Sequence, residues 1–283
     1  MFGEFDRRKF LGLAAGAAAA GVAGCTSSDG DGTETESGSP TDTAEPADTP
    51  DDGGYMNGVG SDASVSFDVP SDGTTLNSPS VQWDASASGV TIEESGPVND
   101  GAGHYHVILD TEPVTPGETI PSDDQHIHYG TGQENGVLEL DPGDHTLHLQ
   151  VGDGEHTAMG LTDTAEVTVE DTASLDLSAS VDGSVVEWDV TANNYTIESS
   201  GDINANAGHL HAVIYTDPVP VGEVIPSDAN HIHYGDGSTS GSIDLAEQLG
   251  DAYESGEHTI HFQVGTGTHR ATMVQAQTTV TTE

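Results

Sequence analysis

Short stretches of alternating apolar and polar residues follow one another along the chain from about residue 63 onward. Examples are HYHVILD (104–110), HTLHLQVGD (145–153) and AEVTVE (165–170), which combine alternation with β-branched and aromatic residues. A period of two is typical of a strand with one buried face. Turn sequences such as PSDG, DPGD and GDG separate the runs. The pattern predicts an all-β fold, and its one candidate for a helical turn is LAEQLGDAY (245–253).

The same pattern occurs twice. VQWDASASGVTIEESG (81–96) corresponds to VEWDVTANNYTIESSG (186–201), at an offset of 105 residues. After an insertion of eight residues the offset is 113, and GDHTLHLQVGDGEH (143–156) corresponds to GEHTIHFQVGTGTH (256–269). A period of about 110 residues with about seven short strands is typical of an immunoglobulin-like β-sandwich. We therefore expect two tandem sandwich domains, 63–171 and 172–283, with Trp83 and Trp188 as core residues.

A polar, acidic segment precedes the repeats. Residues 26–62 contain no Ile, Leu, Phe or Trp. Such a segment cannot bury enough apolar surface to offset its chain entropy. The sequence therefore predicts a disordered, extended linker over 26–62.

The first 25 residues have the features of an export signal. A basic pair is followed by an apolar run that is short and rich in Gly and Ala, which is unfavourable for a membrane span. DRRKFLG resembles a twin-arginine signal read at Arg7 and Arg8. VAGC resembles a lipobox, in which cleavage leaves a lipid-bearing Cys25. We expect a protein anchored by this lipid at the extracellular face of the cell membrane, and a plain signal peptide is the alternative.

Acidic residues dominate the composition. The chain has 49 Asp and Glu but 4 Lys and Arg, a formal charge of -45, and beyond Cys25 its one basic side chain of these types is Arg270. Such a surface repels phosphate backbones, which argues against a nucleic-acid partner. Self-repulsion is screened near molar salt, where the Debye length is about 3 Å. The composition and the export signal together resemble a surface lipoprotein of a salt-loving archaeon, and an acidic cation buffer is the alternative.

Histidines are the candidate chemistry. All 14 lie in the repeats, at seven matching positions: His104/His209, His106/His211, His126/His231, His128/His233, His145/His258, His148/His261 and His156/His269. Neighbouring positions differ more freely, as at Asp110 and Tyr215. On a strand, His-x-His places two rings on one face about 6.5 Å apart, so two such pairs on neighbouring strands can converge on one ion.

The spacing predicts one set of metal ligands in each repeat. These are His104, His106, His126, His128 and His156, and His209, His211, His231, His233 and His269. Neutral imidazoles without a thiolate favour copper(II) or zinc and exclude a blue-copper centre. His145 shares a face with Leu147 and Leu149, which favours a structural role. A network of structural hydrogen bonds and a small-ligand or glycan site are the alternatives for the whole set.

Three motifs carry a family resemblance. GHYH, IPSDDQHIHYG and GDHTL in the first repeat, and GHLH, IPSDANHIHYG and GEHTI in the second, resemble the extracytoplasmic domain of unknown function 4399. The resemblance assigns the motif histidines to the family pattern, including His145 and His258, and leaves His148 and His261 outside it. It implies no activity.

We interpret the chain as a tethered binding lipoprotein for a divalent transition metal. The alternatives are a surface adhesion or envelope protein and a metal-dependent hydrolase. For the hydrolase, Glu118/Glu223 and Asp123/Asp228 are the candidate bases beside a metal-bound water, although their positions suit loop caps better. The sequence contains neither a G-x-S-x-G elbow nor an H-E-x-x-H helix.

Overall fold

The structure is a computed structural model that describes residues 55–283. The predicted export signal and lipidation site, with Arg7, Arg8 and Cys25, lie outside these residues. The first repeat contains β1 (Ser64–Val69), β2 (Thr74–Leu76), β3 (Ser80–Ser88), β4 (Thr91–Ile92), β5 (Ala102–Leu109), β6 (His126–Tyr129), β7 (Asn135–Glu139), β8 (Gly143–Gly152) and β9 (Ala158–Val169). The second contains β10 (Ser174–Asp182), β11 (Val185–Asn193), β12 (Thr196–Ile197), β13 (Ala207–Ile214), β14 (His231–Tyr234), β15 (Ser240–Asp244), α1 (Leu245–Leu249), a 3-10 turn (Gly250–Ala252), β16 (Glu257–Gly265) and β17 (Ala271–Thr281).

Each repeat consists of two sheets. In the first, β1-β3-β7 faces β2-β9-β8-β5-β4, with β6 also paired to β5. In the second, β10-β11-β15 faces β12-β13-β16-β17, with β14 paired to β13. Most pairs are antiparallel, and a separate apolar cluster lies between the sheets of each repeat. This confirms the predicted all-β sandwich architecture.

A tryptophan anchors each core, as expected. Trp83 is fully buried and contacts Tyr105 edge-on, with ring centroids 6.2 Å apart. Trp188 packs against Phe262 instead, at 4.7 Å. The second aromatic ring thus comes from β5 in one repeat and from β16 in the other. At each of the two matching positions one repeat has the aromatic residue and the other has a leucine. The total side-chain volume of the core is therefore preserved.

The strand β5 is buried on both faces. One face joins the core, and the other is buried beside the loop 110–125, whose Ile120 lies with His106 around Gly152. The buried Gln150 side chain fastens this loop by bonding to the N–H and the C=O of Val114, at 2.9 and 2.7 Å. The N–H of Ile120 donates to the C=O of His156 at 2.8 Å. The second repeat has the same loop fastening.

The insertion of the second repeat contains the short helix α1. Asp244 caps its N-terminus by accepting from two backbone N–H groups of the first turn. Leu245 and Leu249 are buried against the core. This agrees with the helical turn predicted there. Within residues 55–283, no helix combines the length and the apolar character that a membrane crossing requires.

The end of the predicted linker is part of the folded unit. Tyr55, Met56 and Val59 pack against the core cluster of the first repeat. The prediction of a disordered linker to residue 62 therefore needs correction for these residues. The segment lacks Ile, Leu, Phe and Trp, but its Tyr, Met and Val side chains supply the apolar contact.

Candidate metal centre

The strand β5 places two histidine rings on the face opposite the core. His104 and His106 have ring centroids 4.8 Å apart. On the neighbouring antiparallel strand β6, His128 lies directly opposite His106, with centroids 5.1 Å apart. The rings of His104 and His128 are 4.9 Å apart. The expected convergence of rings across neighbouring strands is therefore present.

The fourth ring comes from the turn 152–157, which we name the first ligand turn. His156 has φ 69°, in the left-handed region, where non-glycine residues are uncommon. The Oδ1 of Asp153 stabilises this turn by accepting from the N–H groups of Glu155 and Thr157, both at 2.9 Å. The Nε2 of His156 lies 3.2 Å from the Nε2 of His128.

The second repeat contains a corresponding group. The Nε2 atoms of His209 and His211, both on β13, are 2.9 Å apart. The Nε2 of His233 on β14 lies 3.1 Å from the Nε2 of His269, which has φ 68° in the second ligand turn, 265–270. One nitrogen from each of four rings falls within 4.8 Å in the first repeat, and from His209, His211 and His233 in the second.

Glycines in the motifs provide the space for these rings. A Cβ on Gly130 would overlap the ring of His128, so the glycine of HIHYG lets this ring lie across the backbone. A Cβ on Gly103 would overlap the carbonyl of Gly152 on β8. At these two positions glycine is needed because another group lies close to the backbone, and not because the backbone has an unusual φ. The second repeat has glycine at both corresponding positions.

Burial keeps the histidine rings on β5 uncharged. Together with a smaller contribution from neighbouring imidazoles, it lowers the pKa of His104 to about 4 and that of His106 to about 2. In the second repeat, burial is again the main cause that lowers the pKa of His209 to about 4 and that of His211 to about 3. The rings of these four histidines are therefore neutral near pH 7, which is the protonation state that a metal ion requires of imidazole.

Several of these nitrogens have no hydrogen-bond partner. His104 is 0 % exposed, and neither its Nδ1 nor its Nε2 is hydrogen-bonded. The Nδ1 atoms of His106, His209 and His211 are also buried without a partner. A buried polar atom left unpaired costs about 1–3 kcal/mol, so such atoms are rare. A bound metal ion would engage one nitrogen of each ring, because a neutral imidazole has a single free lone pair.

The spacing of the nitrogens also suits one ion per group. Four ligands at 2.0–2.1 Å around a tetrahedral ion are separated by about 3.3 Å. The separations of 3.2 Å between His128 and His156 and of 3.1 Å between His233 and His269 are close to this value. An N–H···N hydrogen bond has a similar length, but it joins two rings and leaves His104 without a partner.

The structure does not bring His126 and His231 into these groups. The Nδ1 of His126 lies 2.7 Å from the Oδ1 of Asp123, and that of His231 lies 2.8 Å from the Oδ1 of Asp228. Asp123 also accepts from the backbone N–H of His126, which holds the ring at the start of the strand. The second His-x-His pair therefore contributes one ring to the group, and the ligand turn provides the other.

His145 and His258 have both ring nitrogens engaged elsewhere. His145 bonds through Nδ1 to Asp110 Oδ2 and through Nε2 to a backbone carbonyl, both at 2.8 Å. His258 bonds through Nδ1 to the Tyr215 hydroxyl at 2.7 Å and through Nε2 to Thr282 at 2.8 Å. This geometry agrees with a structural role. The difference between Asp110 and Tyr215 is therefore an exchange of one histidine partner for another.

The other candidate residues are not members of these groups. Glu118 and Glu223, the candidate bases, have exposed side chains. Asp123 and Asp228 act as caps of the loop and partners of a histidine, as described above. His148, which the family pattern does not include, bonds to Thr164 at 2.8 Å.

Comparisons with known proteins agree with the repeat structure. A model of the family described as "Domain of unknown function (DUF4399)" matches residues 83–170 and 188–283. Among solved structures, the chain is similar to fibronectin(III)-like modules of Clostridium thermocellum CbhA, with 13% identity and a TM-score of 0.24 over 77% of this chain and 94% of that one. No curated protein matches the chain.

Proposed function

The chain belongs to the DUF4399 family, whose domain it contains twice, and from this premise we propose that each copy binds one divalent transition-metal ion. The observation that supports this most is His104, which is fully buried, uncharged and unpaired at both ring nitrogens, among three other rings. The proposed ligands are His104, His106, His128 and His156 in the first centre and His209, His211, His233 and His269 in the second.

The donor set limits the choice of metal. Neutral imidazole binds zinc, copper and nickel, whereas magnesium and calcium prefer oxygen ligands. An all-nitrogen set favours copper(II) or zinc among these. The proposed ligands on β5 and β13 are already uncharged near neutral pH, so they can bind the ion without releasing protons.

The scaffold restricts the movement of three of the four rings. Two of them stand on a strand that is buried on both faces, and the third on the strand hydrogen-bonded to it. The fourth stands on a turn whose backbone is hydrogen-bonded to the covering loop 110–125. Such preorganisation reduces the entropy that is lost when the ion binds.

Metal analysis of the purified full chain tests this proposal. We expect about two zinc or copper ions per chain, one for each histidine group. His106→Ala with His211→Ala should remove both ions. His126→Ala with His231→Ala is the matched control, because these rings lie outside the groups, and it should keep both. Absence of stoichiometric metal, or equal metal in the His106/His211 variant, would overturn the proposal.

We further propose that the protein acts outside the cell, held to the membrane by a lipid on Cys25. The twin-arginine-like and lipobox-like sequences support this location. A protein tethered in this way would bind or scavenge metal at the cell surface. The Cys25→Ser variant should be released into the medium, and its retention in the membrane fraction would contradict lipid anchoring.

A further inference from the structure

The second ligand turn is in contact with the first repeat. The Oδ1 of Asn135, at the start of β7, accepts from Thr268 Oγ1 at 3.2 Å and from Arg270 Nε at 3.3 Å. These two residues flank His269 on either side. The Nη1 of Arg270 also donates to the C=O of Gly222 at 3.0 Å. One carboxamide oxygen of the first repeat therefore accepts hydrogen bonds from the residues on both sides of His269 in the second.

The same edge of the first repeat also holds the strand that carries two other ligands. The buried Gln82 side chain donates to the C=O of Ala207 at 2.7 Å. Ala207 begins β13 and lies two residues before His209. The Ser80 hydroxyl accepts from the N–H of Met273 at 3.0 Å, three residues after the second ligand turn. The sheet β1-β3-β7 thus supports the second centre from outside its own repeat.

In the first repeat, the segment 55–60 makes corresponding contacts. The Nδ2 of Asn57 donates to the C=O of Ala102 at 2.9 Å, and Ala102 is the counterpart of Ala207. The C=O of Tyr55 accepts from the N–H of Gly160 at 2.9 Å, and Gly160 is the counterpart of Met273. Two backbone positions and the ligand turn of each repeat are therefore hydrogen-bonded to residues that precede that repeat in the chain.

Tyr55 completes this correspondence at the first ligand turn. Its hydroxyl donates to the Oδ2 of Asp153 at 2.8 Å, while the Oδ1 of Asp153 holds the turn. Asp153 is 2 % exposed, so its carboxylate depends on such hydrogen bonds. Thr266, the counterpart of Asp153, has no carboxylate, and Asn135 instead accepts from side chains two and four residues further along that turn.

From these contacts we infer that each metal centre is positioned by the chain segment that precedes its repeat: residues 55–60 for the first, and the first repeat, through Asn135, for the second. Asn135 is thus a positioning residue for His269, which it does not touch. The inference rests on the proposed metal binding where it is tested by affinity. A second test, by hydrogen exchange in the ligand turn, does not depend on metal. The inference makes the two centres non-interchangeable, since the second depends on the first repeat being folded.

Affinity is measured in full chains that keep one centre. His128→Ala with His156→Ala silences the first centre and leaves the second to be titrated with Zn²⁺ and, in parallel, with Cu²⁺ against a chromophoric chelator. Adding Asn135→Ala should weaken the second centre about tenfold, because two hydrogen bonds to the ligand turn are lost. Asn135→Asp keeps the acceptor oxygen and should restore the affinity.

Two further variants separate positioning from a general weakening of the interface. Asn77→Ala removes a hydrogen bond to Asn194 of the second repeat, away from the ligand turn, and should leave the affinity unchanged. In the complementary chain, with His233→Ala and His269→Ala, Asn135→Ala should not alter the first centre. Tyr55→Phe should weaken that first centre.

Amide hydrogen exchange of the metal-free protein gives a readout without metal. The peptide 264–271 should exchange faster in Asn135→Ala than in the parent and in Asn77→Ala. Unchanged exchange together with unchanged affinity in Asn135→Ala would overturn the inference. A parent chain that binds neither ion would overturn the proposed function, while the exchange result would still decide whether Asn135 positions the turn.

Discussion

In each repeat four corresponding imidazoles lie together, but the charges beside the ligand turns have opposite sign. In the first turn Asp153 is buried, and its backbone and side-chain hydrogen bonds outweigh burial and hold its pKa below the usual range. In the second turn the counterpart is the neutral Thr266, and Arg270 follows the ligand His269 where the first repeat has Thr157. A carboxylate attracts a divalent cation and a guanidinium repels it, so the first centre should have the higher affinity.

A second difference concerns the structural histidines. His145 pairs with the carboxylate of Asp110, whereas His258 pairs with the neutral hydroxyl of Tyr215. The role of the ring is the same in both repeats, but one pair can carry charge and the other uses a neutral partner. The two repeats thus share the grouped rings and the hydrogen-bonded structural histidine, while the charges of the residues around them differ.

The largest effect is expected from His104→Leu, which removes the unpaired ring from the first centre. Metal binding at this centre should be lost, and the second centre should be unaffected. The metal-free protein should nevertheless become more stable by about 1–2 kcal/mol, because an apolar side chain replaces a buried group with two unsatisfied nitrogens. Metal titration and urea unfolding of the metal-free protein check the two parts. A large destabilisation would show that His104 has partners that our account lacks.

The charge difference is tested by Asp153→Asn, which keeps the acceptor Oδ1, removes the charge and also replaces the Oδ2 that accepts from Tyr55. Tyr55→Phe, which loses the same hydrogen bond without a change of charge, is therefore its reference. The affinity of the first centre should fall about three- to tenfold at low ionic strength, and the loss should shrink in molar salt. Thr266→Asn changes no charge in the second repeat and should alter its affinity little. Calorimetric titration at two salt concentrations measures both. An equal loss at both concentrations would assign the effect to turn geometry instead.

The smallest effect is expected from the structural pair. Burial lowers the pKa of His145, but its hydrogen bonds to Asp110 and to the backbone outweigh this and raise the pKa overall. The stability that comes from this raised pKa is fully present below about pH 6.5 and is lost as the pH rises through the folded-state value. Asp110→Asn should reduce this pH dependence, at a cost of about 0.2–1 kcal/mol at pH 6, since the pair is partly exposed.

Urea unfolding of the metal-free protein between pH 5 and pH 8 measures this effect as the difference between parent and variant, so that the contribution of the centre histidines cancels. Tyr215→Phe is the matched change in the second repeat and should shift the stability without altering its pH dependence. The same pH dependence in the parent and in Asp110→Asn would contradict the assignment to this pair.

Much of the centre could be predicted from residue spacing alone. Alternation along HYHVILD places His104 and His106 on one face, and a second His-x-His pair on a neighbouring strand brings His128 opposite. Alternation also predicted that the His126 ring would join this group, which it does not. His126 is the first residue of β6, and its ring is hydrogen-bonded to Asp123 instead. The convergence of His156 depends on a left-handed residue within GDGEH, which spacing does not encode.

Contacts between distant segments were beyond sequence reasoning. Tyr55 lies in a polar, acidic stretch, and its place beside Asp153 depends on the folded surface of the first repeat. Asn135 likewise has no unusual sequence environment, and its importance follows from the way in which the second repeat packs on the first. These residues lie 98 and 133 positions from their partners, so a local pattern holds no signal for them.

Anomalous diffraction from crystals of the full chain, recorded at the zinc or copper absorption edge, tests the central claim most directly. Our account predicts one peak in each repeat, about 2.0–2.1 Å from nitrogens of the rings that converge there. Strong peaks beside His126 and Asp123, or none within the two histidine groups, would contradict it.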